Sequence, residues 1–462
     1  MESIIMKSIM KKLWFISIVL FALSPVIVAG PFQATGIKIG EVDQNSAIIW
    51  TRLTEDKVGD VSFVNAAPGS EGMVRVTYWP EDNQEDITRS SWRQVDKNKD
   101  FTRQIEINKL KTNTRYSVRV EARPMVGKKV TSTVKGSFVT APKADTVETV
   151  QFIVVTGQAI ISADCGDNGH SSYKLMPLFK PDFFVHTGDI VYYDKPPLCK
   201  DMISARFKWN RIYAYGYNRD FHSDVASYFM KDDHDTLKND CWAGQKYGDL
   251  TWDQGLAIFR EQVPMGEKTY RTYRWGKDLQ IWLTENRDFR SPNNMPDGPD
   301  KTIWGREQMA WFKKTVAESN ATFKILIMPG PLIGPDKKGK ADNHANANFR
   351  YEGDVIRKFI AEQDNMFVIN GDRHWQYYSV DPRTGIHEFG CGPINDTHMY
   401  GGNPGEVSPY HKYFGAKGGF LGVTIERKND QPQATIQYFA GNPTTAKAGE
   451  LKVNYKTTLK AK

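Results

Sequence analysis

The sequence predicts an α/β catalytic region preceded by a small β-sandwich. Three observations point to it. Short strands separated by turn residues run from about Gly36 to Ala141. From Val147 onward the rhythm changes to strands alternating with helical segments. Carboxylates and histidines stand directly past several of the later apolar strands, where α/β folds build their sites. The length of 462 residues fits this division, because single cores commonly stop growing by roughly 250 to 300 residues.

Residues 1–30 precede both parts. Lys7, Lys11 and Lys12 lead into the apolar stretch Leu13 to Leu23, and Ser24, Pro25, Ala29 and Gly30 follow, which is the order of a cleavable secretory signal. The apolar stretch is well short of the ~20 residues a spanning helix needs. The mature chain is therefore expected to start near Gly30 or Pro31, to lack a membrane span, and to be secreted or periplasmic. In an oxidising compartment Cys165, Cys199, Cys241 and Cys391 allow one or two disulfides, and the sequence does not choose between the pairings. No CxxC spacing occurs, so a thiolate zinc site is not expected.

The first folded part is read as residues 31–143. Its strands are Ser46 to Arg52, Val74 to Tyr78, Thr102 to Ile107, Tyr116 to Ala122 and Gly136 to Val139. Trp50 lies on an early strand, and Leu110, Thr112, Thr114 and Tyr116 are similar to the tyrosine corner of immunoglobulin-like and fibronectin-like sandwiches. Both aromatic residues are read as core. Ala141, Pro142 and Lys143 form a linker.

The second part is read as residues 144–462. Gln151 to Thr156 and Asp182 to Thr187 are buried strands, with Ser171 to Phe179 helical between them. Trp304 to Ser319 and Val355 to Ile360 have helical spacing, and Phe323 to Met328, Met366 to Ile369, Leu421 to Ile425 and Ala434 to Tyr438 read as further strands. The stretches 195–226 and 330–350 read as long polar loops over a pocket. The 61 basic and 54 acidic residues are dispersed, giving a formal charge of +7 without a long basic run, so no nucleic-acid-binding module is expected.

Three clusters carry the chemistry. The strand Phe183 to Thr187 runs into Gly188-Asp189, with Tyr192 three residues on. Asp232-Asp233-His234-Asp235 follows Tyr228-Phe229-Met230. Phe367 to Asn370 runs into Gly371-Asp372-Arg373-His374. Carboxylates and imidazoles grouped in this way suit a pair of cations that share a ligand.

The order Asp189, Asp233-His234, Asp372-x-His374 resembles the calcineurin-like metallophosphoesterases, whose motifs read GD, GNH[DE] and GHxH. Asp233 in place of asparagine and Asp372 in place of histidine are similar to the PhoD branch of alkaline phosphatases, with GDxxY, DDH[DE] and GDxH. Leu283 to Arg290 resembles that branch's LDTRxYR segment, and Gly305-x-x-Gln308-x-x-Trp311 its LGxxQxxWL helix. The resemblance runs from about Gly36 to Glu426. It implies a two-sheet metallophosphoesterase sandwich flanked by helices, behind a small fibronectin-like domain.

The resemblance also implies roles. Asp189 bridges two cations, Tyr192 and His374 hold the first, and Asp233 and Asp372 hold the second. His234 is a proton donor or charge stabiliser, and Arg287 and Arg290 grip phosphate oxygens. Iron(III) with calcium is the implied pair, and zinc, manganese and magnesium also suit such ligands. One departure stands out. The family usually follows its first catalytic strand with Ser-Cys-Gln, whose cysteine binds iron, whereas this chain has Thr156-Gly157-Gln158. Gln158 and His344 are candidates for metal or substrate contact, and a cysteine restored at Gly157 is expected to tighten iron binding. His398, with Asn395 and the turn Gly390 to Pro393, is read as pocket lining. The expected substrate is a small phosphate ester or the phosphodiester of a lipid or wall polymer, and a monomer is expected. The alternatives are a purple-acid-phosphatase-like enzyme and a degenerate, noncatalytic binder of phosphate ligands.

Overall fold

A computed structural model describes residues 30–57, 66–336, 339–401, 408–442 and 450–462. The signal reading of residues 1–30 falls almost wholly outside them. Among the described residues no helix is long and apolar enough to cross a membrane.

The catalytic part is two sheets packed face to face. One sheet has nine strands, in the order Val453–Lys460, Gln431–Ala440, Gly419–Lys428, Val150–Val155, Phe183–His186, Ala226–Phe229, Ile37–Gly40, Ser46–Arg52 and Thr102–Asn108. The other has seven, in the order Arg271–Trp275, Leu279–Leu283, Phe323–Met328, Met366–Asn370, His387–Gly390, Gln376–Val380 and His411–Gly415. The central strands of both are parallel, which explains their continuous apolar sequences: strands covered on both faces need no polar side. Phe152, Val154, Phe183 and Val185 face the second sheet and share one core with Ile281, Ile325, Ile327 and Phe367. The alternate residues Ile153, Val155 and Phe184 pack on Tyr173 and Phe221. On the far side, Trp282, Leu326 and Val368 pack on Phe312, Val316 and Ile356 of the helices Gly305–Ala317 and Arg350–Ala361.

The sandwich expected at the N-terminus has Met73–Pro80, Arg115–Arg123 and Ser132–Val139 as one face. Its tyrosine corner forms, with the Lys111 amide donating to the Tyr116 hydroxyl at 2.8 Å. Its other face, Ile37–Gly40, Ser46–Arg52 and Thr102–Asn108, continues the nine-stranded sheet through the parallel pairing of Gly40 with Ser227. Trp50 is fully buried, and its indole donates to the Glu261 carbonyl at 2.9 Å, so the module is joined to the catalytic part by backbone and side chain alike.

Two expectations are corrected. All four cysteines are free thiols; Cys199 and Cys241 are buried in one cluster and Cys391 in another. The stretch 195–226 is largely helical, with Met202–Ala214 and Gly216–Asp224. The first of these begins at a capping box, Asp201 accepting from the Ser204 amide while Ser204 accepts from the Asp201 amide. With serine rather than Glu or Gln at the third helical position, and with polar residues interleaved among the apolar ones, it escapes a reading by periodicity.

Candidate active site

The site is assembled at the carboxyl ends of the parallel strands. Asp189 and Asp372 both follow a glycine and both adopt left-handed backbone, with φ of 59° and 61°. Asp tolerates that region better than most residues, and such conformations persist where the surroundings fix them. At Gly371 a Cβ would collide with the hydroxyls of Thr187 and Thr156, so the two strand ends meet only because this position is glycine. A cavity of about 510 Å³ opens there, lined by Asp189, Tyr192, His234, Asp372, His374 and His398, with Lys195, Lys340 and Arg373 also on its wall.

A first group of donors gathers on the Tyr192 hydroxyl. It donates to Asp189 Oδ2 at 2.9 Å, lies 3.1 Å from His374 Nε2, and lies 2.8 Å from His398 Nε2. Asp189 Oδ1 is buried without a hydrogen-bond partner among the described residues. Burial, opposed by His234 and reinforced by Asp233, pushes the Asp189 carboxyl well above the usual carboxylate range. Burial holds the His374 imidazole down, to about 3, with His234 and Arg373 adding to the effect. Donor atoms of Asp189, Asp233 and His234 lie within 4.8 Å of one another.

His234 is tuned differently. Burial alone would lower its pKa, but Asp233, Asp189 and Asp194 around it push it up to about 10. Asp194 Oδ1 holds its Nδ1 at 2.6 Å, which leaves Nε2 as the unengaged nitrogen.

A second group is wholly carboxylate. Asp233, Asp240 and Asp342 bring oxygens within 4.8 Å of one another, so Asp233 is common to both groups. Protein cations stand among them: Lys340 Nζ lies 2.5 Å from Asp240 and 3.7 Å from Asp342, and Arg287 lies 3.9 Å from Asp342. Against burial, His234, Arg287 and Lys340 hold Asp233 far below the usual range. Lys340, Arg373 and Arg287 likewise hold Asp342 down against burial. Asp372 is paired with the Arg373 guanidinium, whose other arm reaches Asp336 at 3.0 Å.

Asp189, Tyr192, His234, Asp372 and His374 therefore share one cavity, with Asp233 directly behind them. The structure does not bring the other four predicted residues to the cavity wall. Arg287 is buried in an ion pair with Asp232 at 2.5 Å and donates to the Cys241 carbonyl. Arg290 is buried against Asn293 and the Asp342 carbonyl. Gln158 accepts from the Tyr173 hydroxyl at 2.7 Å. His344 is fully buried on Glu352 at 2.8 Å. Sequence reasoning missed Asp240, Asp342, Lys340 and Arg373 as site residues. Arg373 stood in plain view between Asp372 and His374, and Asp342 two residues before His344; Asp240 and Lys340 carry no local signal, because only the fold brings them to the other clusters.

The chain superposes on a solved structure titled as that of PhoD with a TM-score of 0.76 and 16% identity, covering 95% of this chain and 92% of that one. A purple acid phosphatase from yellow lupin (Lupinus luteus) seeds matches with a TM-score of 0.63 and 12% identity, covering 94% of this chain and 75% of that one. The fold is thus one that this chain shares with those two structures. The family follows from the sequence models: the PhoD-like phosphatase model matches residues 152–417 and the PhoD-like phosphatase N-terminal domain model matches residues 27–142. The chain belongs to the PhoD-like phosphatase family, and phosphate-ester hydrolysis is the class of chemistry this assigns. No curated protein matches the sequence.

Proposed function

We propose that this chain is an exported, metal-dependent phosphoesterase that hydrolyses phosphate monoesters, diesters or both. The observation that carries the reading is the convergence of Asp189, Asp233 and His234, donors from the ends of two separate strands, within 4.8 Å, joined in one cavity by Tyr192, Asp372 and His374. The buried, partnerless Asp189 Oδ1 and the imidazole and phenol donors beside it fit a cation at the first group. The three carboxylates of the second group suit a hard cation. Iron(III) and calcium are the pair this reading favours, with zinc, manganese or magnesium serving the same donor types. Such ions neutralise phosphate oxygens and make a bound water acidic enough to be a nucleophile near neutral pH.

The chain's own groups do the rest. Lys195, Lys340 and Arg373 place positive charge on the cavity wall and draw the phosphate in. His234, held at Nδ1 by Asp194, presents Nε2 for proton donation to the leaving alkoxide. Residues 31–143 are read as the accessory module and 144–462 as the catalytic one.

The test is hydrolysis of an aryl monophosphate and a bis-aryl phosphate by the purified chain, stripped of metal and reloaded across an iron, calcium, zinc, manganese and magnesium panel. Turnover that vanishes on chelation and returns with metal supports the reading. Turnover unaffected by chelation, or none with any metal, rejects it.

A further inference from the structure

Residue 157 is glycine in this chain, and the space beside it is filled by His398 and Tyr192. We propose that His398 Nε2 ligates the first cation, from the coordination position that a cysteine at residue 157 would otherwise take. The inference rests on the metal-dependent reading above.

Four observations carry it. Tyr192 Oη touches His398 Nε2, Asp189 Oδ2 and His374 Nε2 at 2.8, 2.9 and 3.1 Å. Neighbouring ligands bonded at roughly 2.1 Å to one ion lie about 3 to 3.4 Å apart, so each of these three donor atoms stands at about ligand spacing from Tyr192 Oη. Second, a Cβ built at Gly157 falls 3.0 Å from His398 Cδ2, 3.1 Å from His398 Nε2 and 3.2 Å from Tyr192 Oη. The imidazole and a residue-157 side chain contend for one place. Third, the loop bearing His398 is tied to the same strand end: Thr156 bridges Pro393, and the Ile394 amide donates to the Gly157 carbonyl at 3.1 Å. Asn395 then fixes the turn, accepting from the His398 amide at 3.1 Å and donating to the Ser162 carbonyl at 2.8 Å. Fourth, His398 lines the cavity, its ring centroid 4.5 Å from that of His374. Other buried histidines are engaged elsewhere, His170 with the Ala159 carbonyl and His222 with Ser227.

The first group then offers two imidazoles, a carboxylate and a phenol, and no thiolate. Such a set suits metals that prefer nitrogen and oxygen over those that prefer soft ligands. It also revises the expectation for Gly157→Cys. With His398 in place and a left-handed φ of 55° at this position, the added thiol has no clear approach to the ion.

The experiment uses the full mature chain and cobalt(II) alone, read by dialysis stoichiometry and by the visible spectrum. Wild type is compared with His398→Ala, His398→Gln, Gly157→Cys and the double variant Gly157→Cys/His398→Ala, with circular dichroism to establish folding. Loss of a group that merely orients a metal ligand typically costs about 10–100-fold in affinity, so His398→Ala is expected to weaken cobalt binding by at least about 100-fold, with His398→Gln intermediate. A thiolate-to-cobalt band is expected in the double variant and not in Gly157→Cys alone. Affinity of folded His398→Ala within about twofold of wild type overturns the proposal, as does the band in the single variant or its absence from the double. Wild type that binds no cobalt, zinc or iron overturns the metal-dependent reading itself, an outcome distinct from a wild type that binds and a His398→Ala that binds equally.

Discussion

The two halves of the site differ in what balances their charge. Around Tyr192 the donors are neutral imidazoles, a phenol and one carboxylate pushed up by burial, and among the described residues no lysine or arginine contacts that carboxylate. Around Asp233, Asp240 and Asp342 the carboxylates already have Lys340 and Arg287 among them. A cation entering the first half meets the charged His234 imidazole near Asp189, whereas one entering the second must displace an ammonium. Buried carboxylates demand compensation, and this chain supplies it from one histidine at the first half and from lysine and arginine at the second.

The largest effect expected from that contrast is at Asp189, which supplies the carboxylate of the first half. Asp189→Ala is expected to lower aryl phosphate turnover by roughly 10³-fold, as removal of a central electrostatic group does, and to release the first metal while circular dichroism stays unchanged. Retained turnover breaks the assignment. Next is Arg287, read from sequence as a phosphate ligand but buried on Asp232 with side-chain exposures of 3% and 2%. Removing one partner of such a pair costs about 3–5 kcal/mol, so Arg287→Ala should shift urea unfolding strongly downward. A raised KM at unchanged stability would restore the substrate-binding role.

A smaller effect sharpens the comparison directly. Lys340→Ala should tighten calcium binding at the second half by roughly tenfold, the Coulomb gain being reduced by the lysine's partial exposure. Calorimetry checks it, and an unchanged constant means that Lys340 does not compete. The smallest effect is at His344. His344→Gln should leave metal content and turnover unchanged and cost about 1 kcal/mol through a weakened bond to Glu352. Lost metal would return His344 to the site.

Much of this was legible in the sequence because the central strands are buried on both faces and so appear as unbroken apolar runs. Ser46 to Arg52 agrees at both ends, and Phe323–Met328 likewise. The cavity carboxylates that follow strands through short Gly-Asp turns, Asp189 and Asp372, were legible for the same reason. Arg287 and Arg290 show the limit: sequence marks them as charged residues past a strand but not whether they turn toward the cavity or into the core. His398 was noticed only as lining, since the role proposed for it depends on the glycine at residue 157, some 240 positions earlier. The late strands Gln376–Val380 and His411–Gly415 were missed, their interspersed polar residues matching neither the alternating nor the continuous pattern.

The pairing of Gly40 with Ser227 places the N-terminal module against the strand Ala226–Phe229, which leads into Asp233. Cutting the chain after Lys143 would leave that strand as an open border with unsatisfied amides and carbonyls, inviting other copies to stack on it. Trp50 would also withdraw from the Glu261 carbonyl. The module is therefore a guard rail for the very strand that delivers the second cluster, and a shortened enzyme is expected to clump before it is expected to lose its pocket.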